Sequence, residues 1–142
     1  MSWTEKRRVR VAILDLYEGV PNQGMRCIRT ILQEWAETNE LDLKSDEFDV
    51  RLKNELPDNS YDIYLSSGGP GDPLMSRFED WDIAWCRWVD SIERWNNNPS
   101  NTKKKHILFI CHSFQLASRY FNAGLVTKRK STAFGVFPVH ML

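Results

Sequence analysis

The chain has 142 residues, 42% of them hydrophobic, and its nineteen basic and nineteen acidic side chains cancel. This is enough for one domain with a real core and too little for two ordinary ones. The neutral balance gives no overall field that would single out nucleic acid or an anionic membrane as partner, and it leaves a small neutral ligand easy to accommodate.

The amino terminus, from Met1 to Arg8, is charged and leads into no apolar run long enough for a signal peptide or a membrane span, so a soluble protein is expected. From Val9 to Leu16 a short β-branched apolar run reads as a strand buried on both faces of a parallel sheet. Gly19, Pro21 and Asn22 break it, and Asn22 is placed to cap a helix carrying Met25, Ile28, Ile31, Leu32 and Trp35 on one face. A polar stretch through Asn39 and Asp42 then leads to Phe48, Val50 and Leu52, which alternate with Asp49 and Arg51 as an edge strand would.

Tyr61, Ile63, Tyr64 and Leu65 make the next strand, ending at Ser66-Ser67-Gly68-Gly69-Pro70-Gly71-Asp72-Pro73, a run too rich in Gly and Pro for regular structure. Phe78, Trp81, Trp85, Trp88, Ile92 and Trp95 follow at three- and four-residue steps, an aromatic stripe whose ordinary use is core packing. Asn96 to Lys105 reads as a polar surface connection, its three consecutive lysines as a solvated loop. Ile107 to Ile110 is a buried strand, followed at once by Cys111 and a helix-compatible run containing Leu116, Ala117, Tyr120 and Phe121, which Gly124 would end. Ala133, Phe134, Val136, Phe137 and Val139 suggest a last strand. Alternating strands and helices predict an α/β, doubly wound, mainly parallel sheet with helices on both faces.

Ligands of such sheets gather at the carboxyl ends of the strands, where both the Gly-Pro loop and the Cys111 turn fall. A cysteine between a strand and a helix presents its sulfur at the positive end of the helix, which favours a reactive thiolate; the competing reading is an inert buried thiol. For Gly68 to Gly71 the competing reading is a tight surface turn. Cys27, Cys86 and Cys111 are odd in number and widely spaced, so neither a disulfide framework nor a zinc site is expected, and reduced thiols in a cytoplasmic protein are the simplest reading.

Phe109-Ile110-Cys111-His112-Ser113-Phe114-Gln115 resembles the nucleophile elbow of class I glutamine amidotransferases, usually G-I-C-x-G-x-Q, and Ser67-Gly68-Gly69-Pro70 resembles their S-G-G-P oxyanion loop. The resemblance runs from the first strand to Phe134-Gly135-Val136-Phe137-Pro138. It implies a flavodoxin-like fold over residues 1–142, no cofactor or metal, and glutamine as substrate. Cys111 would be the nucleophile, the backbone N–H groups of Gly69 and His112 the oxyanion donors, and Gln115, with Gly68 and Pro70 beside it, would help hold the glutamine. Ammonia would pass to a synthetase domain or subunit.

Phe109 and Ser113 stand where the family usually has glycines, and the family's downstream H-x-E pair has no counterpart. His106, His112 and His140 are the histidines present, and none carries the glutamate partner; His140 reads as an edge-strand residue rather than a base. The expectation is therefore a domain incomplete at its carboxyl end, weakly active or inactive alone and prone to self-association. A γ-glutamyl conjugate hydrolase and a non-catalytic binding module remain alternatives.

Overall fold

In the computed structural model, which describes residues 6–131 and residue 138, the elements run β1 (Arg8–Asp15), α1 (Gln23–Thr38), β2 (Asp42–Asp49), a single turn α2 (Val50–Lys53), β3 (Ile63–Ser66), a 3-10 turn (Ser76–Phe78), α3 (Asp80–Asn97), β4 (His106–Phe109) and α4 (His112–Tyr120). The four strands are all parallel, in the order β2-β1-β3-β4. This is a doubly wound α/β sheet of flavodoxin-like order, and its switch point falls between β1 and β3.

Strand β1 explains the two layers. Val9, Val11 and Ile13 point to one face and Ala12 and Leu14 to the other, and all are buried. A strand apolar on both sides needs cover on both. Met25, Ile28 and Leu32 of α1 cover the first face. The second is covered by Trp81, Trp85, Trp88 and Ile92 of α3 with Leu116 and Ala117 of α4. Asn22 caps α1 as expected, its side-chain oxygen accepting the Met25 N–H at 2.8 Å.

Several local expectations are corrected. The buried stripe of α1 is Met25, Ile28, Leu32 and Ala36; Ile31, 63% exposed, falls beyond it and Trp35 lies at its rim. The second strand spans Asp42 to Asp49, and Val50 and Leu52 are not in it. The Asp49 carboxylate accepts the Leu52 N–H at 3.1 Å, which starts a helical turn and stops the strand. Phe78 leaves the tryptophan stripe for the 3-10 turn, where it is 84% exposed. Strand β4 is not buried: among the described residues it is the outer strand, and Leu108, on the face turned from α3, is 56% exposed.

The end of α4 also differs. Asn122, at φ 51°, takes the left-handed position expected of Gly124. The Ala123 N–H reaches the Ser118 carbonyl at 3.0 Å and the Asn122 N–H the Arg119 carbonyl at 3.4 Å, the two bonds of a Schellman ending. In the connection before β4, Lys104 Nζ donates to the Asn96 carbonyl at 2.5 Å, so part of the lysine run serves the negative end of α3. The last strand expected around Phe134 and Val136, and His140, lie outside the described residues.

Candidate active site

Register places the site. Ser66 pairs with Leu14 on β1 and with Phe109 on β4, so three strands end level and the segments after them emerge side by side. Cys111 joins β4 to α4 at φ 52° and ψ −105°, outside even the left-handed helical well. Such a conformation costs about 1–3 kcal/mol and persists only where the surroundings over-determine it. Here they do. Buried Ser113 donates its hydroxyl to the Ser66 carbonyl (2.6 Å) and accepts the Ile110 N–H (2.9 Å), while Ile110 N–H also reaches Ser66 O at 3.0 Å. The serine that stands in place of a glycine is thus a clamp between β3 and the turn. The ring of Phe109, the other departure, points away: it packs edge-on against Trp85 with centroids 5.6 Å apart.

Cys111 itself is exposed. The loop after β3 lies against it. A Cβ built on Gly68 would stand 3.3 Å from Cys111 Cβ and 2.9 Å from Tyr17 Oη, so sulfur-bearing residue and phenol flank the same point. A Cβ on Gly69 would collide with the Leu16 carbonyl, so only glycine permits this close approach. Ser67 ties the loop to β1, its N–H donating to Leu14 O at 3.0 Å and its Oγ accepting the Leu16 N–H at 2.9 Å. The same hydroxyl donates to Gly68 O at 2.8 Å, which fixes the peptide whose other end is the Gly69 N–H. Among the described residues neither the Gly69 nor the His112 main-chain N–H has a hydrogen-bond partner.

His112 opens α4, and its imidazole is buried beside Trp81, ring centroids 6.4 Å apart, with Nε2 unpartnered among the described residues. Burial, and after it the Arg51 guanidinium, push it down to about 4, so it is neutral near pH 7. Gln115 is exposed one turn along α4, its N–H on Cys111 O at 3.1 Å. Pro70 is exposed, and its carbonyl accepts Arg51 Nη2 at 2.6 Å. His106 begins β4 and so lies at the opposite end of the sheet from Cys111. Of the other free thiols, Cys27 is exposed on α1, and Cys86 is raised chiefly by burial.

Two residues escaped the sequence reading. Tyr17 directly follows Leu16 at the end of β1, and its phenol is raised first by burial and then by the Cys111 sulfur and the Asp15 carboxylate. Arg51 sits just past β2. Both follow strand ends at the carboxyl side of the sheet, the one signal that could have found them. A cleft of about 590 Å³ opens at the end of β1, lined by Asp15, Val20, Met25 and Arg26. A larger one, about 830 Å³, is bounded by Arg7, Arg8 and Glu37 at the amino end of the strands, remote from Cys111. No group of three or more His, Cys, Asp or Glu able to hold a metal occurs among the described residues, and no helix among them is long and apolar enough to cross a membrane.

No protein-family model and no curated protein matches the chain. Its fold is similar to that in the crystal structure of SMU.1228c, with a TM-score of 0.50 at 19% identity. The match covers 79% of this chain and 43% of the other, so the chain spans less than half the length of that neighbour. At this identity the likeness is one of fold alone.

Proposed function

We propose that the chain carries the nucleophile and oxyanion half of a class I glutamine amidotransferase site. The observation behind this reading is the Cys111 turn: an exposed thiol held at positive φ beside a glycine loop that tolerates no side chain at Gly69. Cys111 Sγ would attack the side-chain amide carbon of glutamine, forming an S–C bond, and the negative oxygen would meet the Gly69 and His112 N–H groups. Collapse would break the C–N bond, the thiol proton leaving with ammonia. Water would then cleave the glutamyl thioester to glutamate and restore the thiol. The ammonia would serve a synthetase domain or subunit.

A diazoketone analogue of glutamine tests the reading. It should alkylate Cys111 selectively, with free glutamine protecting and Cys111→Ala abolishing the adduct in mass spectra. Equal labelling of Cys27 and Cys86, or no protection by glutamine, would sink the proposal.

A second reading concerns turnover, and the positions of His106 and His112 favour it. Among the described residues neither imidazole is placed to take the thiol proton, His106 being at the far end of β4 and His112 buried. The chain by itself should therefore label but release little ammonia. Robust steady-state ammonia release by a His140→Ala variant would refute this.

A further inference from the structure

Arg51 is a buried cation that the chemistry above does not use. Its side chain is 5% exposed, in the single turn that follows β2. Nη1 meets Glu18 Oε1 at 2.8 Å, Nη2 donates to Pro70 O at 2.6 Å, and the guanidinium lies 4.4 Å from the centre of the Trp81 ring. Nε is buried with no partner among the described residues. Removing a guanidinium from water and leaving one donor unused is unfavourable unless the remaining contacts serve a purpose. Those contacts join three segments, namely the turn after β1, the loop after β3 and the first turn of α3.

We infer that Arg51 is the positioning residue of the Gly69–Gly71 segment, fixing the Pro70 carbonyl and so the path of the chain that follows Gly68, the residue beside Cys111. The geometry closes from both sides. Ser67 Oγ holds the Gly68 carbonyl, Leu16 O abuts Gly69, and Arg51 holds the carbonyl two residues along, that of Pro70. Without Arg51 the loop keeps its attachment to β1 and loses its attachment on the β2 side. Lysine does not replace it, because an ammonium cannot lie flat on an indole while directing two donors at a carboxylate and a carbonyl. The chemical consequence of this inference, though not the structural one, rests on the proposed role of Cys111.

The test uses the full chain and the variants R51M and R51K, with two readouts. The NMR order parameters of the amides of Ser67, Gly68, Gly69, Gly71 and Asp72 should fall in R51M and, less, in R51K, while those of α1 stay as in the wild type. The rate of Cys111 alkylation by the diazoketone analogue, divided by that by iodoacetamide, should fall in R51M by roughly 10²-fold, the cost of misplacing a reacting geometry by about 1 Å. Should R51M not fold, R51K decides by the same two measurements. Wild-type order parameters over 67–72, or a fall spread equally over α1, overturns the inference. If wild-type labelling is not protected by glutamine, the Cys111 reading falls, and the order parameters alone still decide for or against Arg51.

Discussion

Burial takes the His112 imidazole out of solvent, although its main chain directly follows the exposed Cys111. At 2% exposure with Nε2 unpartnered, protonation would put a second charge near Arg51 in a place that water does not reach. The folded value of about 4 lies below the ordinary 6.5, so between them the unfolded chain binds more protons. Stability from this source is intact above pH 6.5 and is lost as pH falls toward 4, by up to about 1.4 kcal/mol per pH unit. Urea denaturation of the wild type and His112→Phe at several pH values checks it: the variant should gain on the wild type as pH falls, and a constant gap would refute the assignment. The sequence showed that His112 follows Cys111, and the resemblance assigned a role to its main chain alone. The burial of its ring was not legible, because it depends on Trp81, a residue of a separate helix far back along the chain. Ser113 and Phe109 were legible as departures from the glycines of the resemblance but not as solutions. A hydroxyl reaching Ser66 and a ring reaching Trp85 are long-range contacts, which local spacing does not encode.

Elements were read well where the pattern was strong and poorly at their ends. The Asn22 cap, the tryptophan stripe of α3 and the apolar core of β1 are carried by several residues each, so one exception cannot mask them. The limits of β2 and α4 turn on one or two polar contacts each, the Asp49–Leu52 bond and the pair of bonds at the Asn122 ending, which local spacing does not mark. The same scale holds the strut that spans the site. Arg119 of α4 pairs with Asp82 of α3 and also donates to the Pro73 carbonyl, while Ser76 Oγ donates to Asp82 Oδ2 at 2.6 Å. The helix after Cys111, the aromatic helix and the glycine loop thus meet on one nearly buried ion pair. Because removal of one partner strands the other charge out of water, Arg119→Met should cost about 3–5 kcal/mol in chemical denaturation. A loss below about 1 kcal/mol, the range of an exposed pair, would show that the pair is not buried in solution.

At the scale of the whole molecule the two outer strands among the described residues are unlike. The outer strand β2 carries Asp42, Lys44, Asp46 and Glu47, charges that oppose pairing with another chain. Strand β4 has no such guard. Its one paired side faces β3, no strand among the described residues pairs with its other side, and Leu108, on the same face of the sheet as α1, stays exposed. Open backbone hydrogen-bonding groups beside an exposed leucine form a template for association, because strand addition satisfies the one and buries the other. The chain should therefore self-associate with rising concentration, as light scattering coupled to size exclusion would show. Leu108→Lys should shift the equilibrium to monomer without loss of melting temperature, since the side chain it replaces contributes little to the core. A wild type that stays monomeric at every concentration would mean that this edge is covered in solution, and a variant that associates as the wild type does would place the contact elsewhere.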